Sequence, residues 1–209
     1  MDQSPASFVD ASTVVPGLIV EMRYAGSRNF VGAPIDGYDK PVCLLTRPAA
    51  AALAQVAHDL EPRGLVLKVF DCYRPARAVA HFVRWARNVA DVARKSEFYP
   101  EVDKRNLFRD GYIASHSGHS RGSTMDLTLA TRADGQGNAR ELDMGTAFDF
   151  FSPLSWPSDR HVSAEAQSNR ALLTQAMRRR GFVPYRKEWW HFTLRHEPYP
   201  DTYFDFAVR

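Results

Sequence analysis

Long hydrophobic runs, clustered cysteines and a strong charge imbalance are all missing from this 209-residue chain. Without an apolar stretch of bilayer length, no membrane-spanning helix is expected. Lys and Arg number 27 against 24 Asp and Glu, a net charge of +3. That excess is too small for a nucleic-acid groove or a polybasic membrane surface. The two cysteines, Cys43 and Cys72, show no Cys-x-x-Cys spacing, so neither a disulfide framework nor a thiolate metal site is expected. Cys72 sits in an apolar run and reads as a simply buried thiol. The first residues carry Asp2, with no basic cluster and no apolar core of signal-peptide length. A reducing cytoplasm is therefore the expected compartment, with the periplasm as the alternative if a leader has been removed. Repeats and low-complexity tracts are also absent, which excludes solenoids and linker-separated modules.

What is present has the balance of an ordinary globular protein. Hydrophobic residues make up 44% and charged residues 24%, enough for one well-filled core, and the length suits one catalytic domain over residues 1–209. Residues 22–42, with Gly26, Gly32, Pro34, Gly37 and Pro41, read as a turn-rich loop able to cover a cleft. Thr46, followed by Pro48 and an Ala/Leu run to about Asp59, reads as an N-capped helix. Leu65 to Tyr73 reads as a short buried strand ending at Arg74-Pro75. Pro75 suits the first turn of a second helix, whose apolar face runs from Val79 through Val89 to Ala93. Thr124 to Leu129 alternates, with Met125, Leu127 and Leu129 on one face and Asp126 on the other. Ser163 opens a third helix that runs to Gly181, and Arg178 to Arg180 read as its solvated last turn. Trp189 to Arg195 alternates again, with His191 on the polar face. Strands mixed with separated helices predict an α+β fold rather than a doubly wound parallel sheet.

Catalytic zinc takes three protein ligands and keeps a position open for water. His119 and Asp126 are separated by a stretch containing Gly122, so a turn can bring the histidine back to the carboxylate at the strand's start. His191 is the best third ligand. Glu188 and His191 have opposite parity in a strand, which places Glu188 in the turn before it, within reach of a metal-bound water as a base. Structural readings stand beside these: a histidine in a strand is often only hydrogen-bonded, an Asp among threonines often caps a turn, and His116 competes with His119 for the metal.

Ser117-Gly-His119-Ser-Arg-Gly122-Ser-Thr-Met-Asp126 and Glu188-Trp-Trp-His191 resemble the Ser-x-His-x-x-Gly-x-Ala-x-Asp and Glu-x-Trp-His signatures of D-alanyl-D-alanine metallopeptidases. The doubled Trp, the Arg74 of Tyr-Arg-Pro, Met144-Gly-Thr-Ala-Phe-Asp149, Met22-Arg-Tyr24, Asn29-Phe-Val-Gly and Asp36-Gly-Tyr38 are similar to the VanX-type dipeptidases in particular. The likeness runs from about residue 18 to 195. It implies the Hedgehog/D,D-peptidase (lysostaphin-type) fold and one zinc per chain on His119, Asp126 and His191, which selects His119 over His116. It also implies Glu188 as the base and Arg74 as the clamp on the transition-state oxyanion, where the alternative is a helix-start arginine pairing with Asp71. For the free dipeptide substrate it implies Asp149 and the Tyr24 backbone at the ammonium, and Ser117 and Tyr38 at the carboxylate. Thr124 departs from the signature Ala and bears on fine substrate preference.

The resemblance thus implies a D-alanyl-D-alanine dipeptidase, a hydrolase whose role in a cell is vancomycin resistance, cell-wall turnover or use of D-alanine. Two other readings compete. A D,D-carboxypeptidase or endopeptidase on peptidoglycan stem peptides would need an open groove. A non-catalytic zinc domain that binds partners would have no use for Glu188 and Arg74.

Overall fold

A computed structural model describes residues 5–132 and 139–209. Asp2 lies outside the described residues. In chain order the elements are β1 (Phe8–Asp10), β2 (Ile19–Val20), β3 (Leu44–Thr46), α1 (Arg47–Leu60), β4 (Leu65–Asp71), α2 (Ala76–Arg87), α3 (Lys95–Phe98), β5 (Thr124–Thr131), α4 (Ala164–Arg179), β6 (Phe182–Pro184) and β7 (His191–Leu194). Five strands form one sheet in the order β2-β4-β5-β7-β6, and β1 pairs with β3 in a separate ribbon. Only the β2 pairing in the large sheet is parallel; β4, β5, β7 and β6 run antiparallel in turn. The fold is α+β.

Helices α1 and α4 pack on each other and on the sheet. Leu53, Val56 and Leu60 of α1 and Leu173 and Met177 of α4 are fully or almost fully buried, the spacing an amphipathic helix uses to cover a sheet. The central strand β5 is buried from Thr124 through Ala130. A strand covered on both faces can still present a polar row on one of them, provided that row is occupied by function or by hydrogen bonds.

Local details depart from expectation in four places. The Thr46 hydroxyl does not cap α1; it shares a 2.7 Å hydrogen bond with Ser123 Oγ. Helix α2 stops at Arg87 instead of reaching Ala93: Asn88 leaves the helical region, and Val89 and Val92 are 50% and 48% exposed. No core waits there to reward a longer helix. Arg180 is not merely solvated, since its guanidinium grips both Asp59 carboxylate oxygens at 2.6 and 2.7 Å. Strand β7 begins at His191, and both Trp189 and Trp190 are buried in the turn before it.

The largest correction concerns the cysteines. Cys43 and Cys72 form a disulfide, with Cα atoms 5.2 Å apart and both side chains fully buried. Twenty-nine residues of sequence separate them, and their adjacency is created by β3 and the end of β4 meeting in space, where the Tyr73 amide donates to the Leu44 carbonyl at 2.9 Å. A reducing compartment expected from sparse cysteines thereby loses its ground, because disulfides persist chiefly in oxidising surroundings. No helix among the described residues is long and apolar enough to cross a membrane.

Oxidised protein unfolded in denaturant should therefore show no free thiol. Reduction with alkylation should cost about 3 kcal/mol for a loop of this length, measured as a lower urea midpoint; two reactive thiols in the untreated protein would contradict the bond.

Candidate active site

The sheet register assembles the site. In the β4–β5 pair Asp71 stands opposite Asp126, and in the β5–β7 pair Asp126 stands opposite His191. Residues directly opposite in antiparallel strands project to the same face, so three polar side chains lie in one row across the middle of the sheet. A register irregularity between Val69 and Asp71 brings Asp71 into that row.

His119 reaches the row from the loop before β5. Gly122 takes φ +82, and a side-chain carbon there would lie 2.2 Å from Phe8, so only glycine makes this turn. The Gly122 amide donates to the His119 carbonyl at 3.0 Å and its own carbonyl accepts from Thr46 at 2.8 Å. His119 Nδ1 is 2.7 Å from the Cys72 carbonyl. That acceptor requires the proton on Nδ1, which leaves Nε2 with a free lone pair directed at the row.

His119, Asp126 and His191 each offer one ligand atom, and these atoms lie within 4.8 Å of one another. His119 Nε2 and His191 Nδ1 are 3.3 and 3.1 Å from Asp126 Oδ1, yet this buried oxygen has no hydrogen-bond partner. An orphaned buried carboxylate oxygen facing two imidazole nitrogens fits a metal ion and is otherwise costly. Although burial works against its charge, the histidines hold the Asp126 carboxyl far below the usual range. His116 stands apart from this cluster: it lines the cavity mouth, exposed, with its ring 5.1 Å from that of Tyr203.

Glu188 occupies the turn between β6 and β7, as parity demanded, with Oε2 at 3.4 Å from His191 Nδ1. Burial, opposed by His191 and assisted by Asp126, pushes its carboxyl up to about 7. A carboxylate with a pKa near neutrality is suited to taking and returning a proton. Arg74 donates to Asp71 Oδ2 through Nε and Nη2 at 2.9 Å each, and Nη2 is 3.6 Å from Asp126 Oδ2. The pairing with Asp71 is real, and it aims the guanidinium at the metal cluster rather than away from it. The Tyr24 and Phe82 rings lie 5.0 and 5.1 Å from it.

These groups line a cavity of about 290 Å³, at the small end for ligand sites. Arg74, Ser117, His119, Asp126, Asp149, Glu188 and His191 all face it, and so does Tyr24. Asp149 is buried, accepts a 2.7 Å hydrogen bond from the Tyr24 hydroxyl, and has its carboxyl raised well above the usual range by burial and by Asp126. The Tyr24 backbone carbonyl accepts from the Ile35 amide at 2.9 Å, which leaves it one further lone pair.

Tyr38 is not part of the cavity wall. Its hydroxyl donates to Asp71 Oδ1 at 2.5 Å, which makes it a support for the Asp71–Arg74 pair and removes it from substrate contact. Thr124 shares the sheet face of Asp126 but does not line the cavity, and its hydroxyl is paired with that of Thr193 at 2.8 Å. Sequence reasoning passed over Tyr112, Tyr185 and the apolar wall of Phe30, Val79, Phe82 and Phe151. The Tyr185 amide donates to the His191 carbonyl; pairing β6 with β7 from their flanking residues would have put Tyr185 beside the ligand.

Comparison with known proteins places the chain in a family. The model of the D-ala-D-ala dipeptidase family of M15 peptidases matches residues 4–209. The chain belongs to that family. It is accordingly an enzyme, a metallopeptidase. It is 40% identical over 202 residues to a D-alanyl-D-alanine dipeptidase of Streptomyces coelicolor, covering 97% of both chains. It is 41% identical to one of Enterococcus faecalis, covering 96% of this chain and 98% of the relative, and 37% identical to one of Enterococcus faecium, covering 97% and 98%.

In metal-free protein the Glu188 carboxyl should titrate near pH 7 rather than at its ordinary 4.5, visible by carbon-13 NMR of labelled glutamate. Because positive charge favours the ionised form, loading the site with a dication should move that titration to lower pH. An ordinary glutamate titration in the metal-free protein would refute the effect of burial on Glu188.

Proposed function

We propose that the protein, acting as one domain, hydrolyses free D-alanyl-D-alanine with one zinc ion held by His119, Asp126 and His191. The observation that carries this reading is a small cavity with a base and a guanidinium beside the ligand cluster and, at another part of its wall, a buried carboxylate with no cation of its own. No Lys or Arg ion-pairs with Asp149 among the described residues. A substrate ammonium is the partner such a group calls for.

Zinc in that position supplies Lewis-acid activation of the carbonyl and of water. The chain's own residues do the rest. Asp149, steadied by the Tyr24 hydroxyl, takes the ammonium and sets the distance from the N-terminus to the scissile bond. Glu188 accepts the proton of the attacking water and delivers it to the leaving amine. Arg74, fixed by Asp71, presents its guanidinium where negative charge develops on the carbonyl oxygen. Ser117, on the wall near Arg74 Nη1 at 3.5 Å, is placed to donate to the carboxylate of the leaving residue. Phe30, Val79, Phe82 and Phe151 give the substrate methyl groups an apolar surface and keep bulk water out.

Alanine at His119, Asp126 or His191 should lower zinc content and activity together, while alanine at His116 should leave zinc content intact. Glu188→Gln should retain zinc and lose about 10²- to 10⁴-fold in kcat. Metal analysis and steady-state kinetics on the same preparations test both statements; near-normal turnover in zinc-replete Glu188→Gln would place the base elsewhere.

Substrate size gives an independent test. N-acetylated dipeptide, which leaves Asp149 buried without an ammonium, should lose about a hundredfold or more in kcat/KM relative to free D-alanyl-D-alanine. A stem pentapeptide cleaved faster than the free dipeptide would replace this reading with a carboxypeptidase.

A further inference from the structure

Among the described residues Asp149 is the one non-glycine at positive φ, at +61°. A side chain is kept in that region only when its surroundings hold it there. Asp149 sits in a segment where, among the described residues between β5 and α4, the one helical turn is Pro153–Ser155. Bonds within the segment and from outside it hold it there.

Arg170, on α4, is 2% exposed and absent from the cavity wall. Its Nε donates to the Met144 carbonyl at 2.7 Å, Nη1 to Trp156 at 2.9 Å and Nη2 to Leu154 at 2.8 Å. These carbonyls flank Asp149 on both sides, so the fork closes the segment 144–156 into a loop held at its two ends. No carboxylate lies within ion-pair distance of the guanidinium among the described residues. A buried cation without a counter-ion is expensive, and burial pushes the Arg170 pKa down. Such a group is retained where three fixed donors in one plane are needed, which a lysine cannot supply.

The loop is also tied to the turn that carries the base. Ser155 Oγ donates to the Phe150 carbonyl at 2.6 Å, one residue past Asp149, and lies 2.9 Å from Thr146 Oγ1. The Trp189 indole N–H donates to that same Thr146 hydroxyl at 2.9 Å, and the Trp189 amide donates to the Ser155 carbonyl at 3.0 Å. The ammonium carboxylate and Glu188 are thereby mounted on one hydrogen-bonded frame, with Arg170 behind it.

We infer that Arg170 is a positioning residue for substrate recognition: by clamping the carbonyls of Met144, Leu154 and Trp156 it holds Asp149 at the distance from the metal cluster that selects a free N-terminal ammonium. This rests on the reading of Asp149 given under the proposed function. Arg170 touches no substrate; it acts through Asp149.

The test measures kcat, KM and zinc content for wild type, Arg170→Lys, Arg170→Gln, Asp149→Ala and the double variant Arg170→Lys with Asp149→Ala, on free and N-acetylated D-alanyl-D-alanine. The N-acetylated dipeptide is followed as a competitor where turnover is too slow. Arg170→Lys and Arg170→Gln should keep zinc and lose about ten- to a hundredfold in kcat/KM on the free dipeptide, mainly through KM, as misplacement by about an ångström does. The N-acetylated dipeptide should be bound as before, so discrimination between the two collapses. In the Asp149→Ala background Arg170→Lys should change that discrimination no further, since residues acting through one contact are not additive. Undiminished discrimination in Asp149→Ala would overturn the ammonium reading itself. Lost discrimination in Asp149→Ala with normal discrimination in both Arg170 variants would leave that reading standing and overturn the positioning role. An Arg170→Lys effect that persists without Asp149, or an Arg170→Lys protein that fails to fold or hold zinc, would also overturn it, by showing that the residue serves the core.

Discussion

The cross-strand row Asp71, Asp126, His191 is the constraint from which the rest of the site follows. Its members belong to three strands far apart in sequence, yet antiparallel register places them side by side on one face. A slip of one residue in either pairing would carry a member of the row to the opposite face, among the apolar side chains. The core side of the same strands guards against that slip: Met125, Leu127 and Phe192 are fully buried on it. Metal geometry and hydrophobic packing are thus specified by the same alternation, read from its two faces.

Charge balance is the second consequence. Asp71, Asp126, Asp149 and Glu188 meet in or beside one small cavity, and among the described residues Arg74 is the one permanent cation on its wall. Burial, with the Asp126 charge adding to it, displaces Asp71, Asp149 and Glu188 upward, while Asp126, with two histidines on it, is held down against its own burial. Two further positive charges would relieve the crowding. Under the proposed function a dication at the His119–Asp126–His191 cluster and an ammonium at Asp149 would supply them, each making the remaining carboxylates easier to keep charged.

Much of this was legible in the residues, and the rest was hidden for identifiable reasons. Parity within short alternating strands sufficed to put Asp126 and His191 on a polar face and Glu188 in the preceding turn. Parity says nothing about contacts between segments without a common period. The Cys43–Cys72 bond joins two strand ends whose proximity exists only in the folded sheet, so spacing concealed it. Tyr38 carries a hydroxyl that suits a substrate carboxylate, but Asp71 claims that hydroxyl inside the core. Nothing in the sequence singles out Arg170, because its acceptors are backbone carbonyls that no side-chain pattern announces.

The disulfide gives the ligand cluster a covalent backing that the motif residues do not reveal. Cys72 lies between Asp71, which orients Arg74, and Tyr73, whose hydroxyl donates to the Phe206 carbonyl at 2.9 Å. Its own carbonyl receives the His119 ring proton. One tripeptide therefore sets the direction of the Arg74 guanidinium, the tautomer of His119 and the anchor of the C-terminal segment, and its central residue is bonded to Cys43, immediately before β3. Ligand-orienting carbonyls are useful only as far as they stay still. Cross-linking the strand end that carries this one makes its position depend on the whole β1–β3 ribbon, rather than on the last residue of β4 alone.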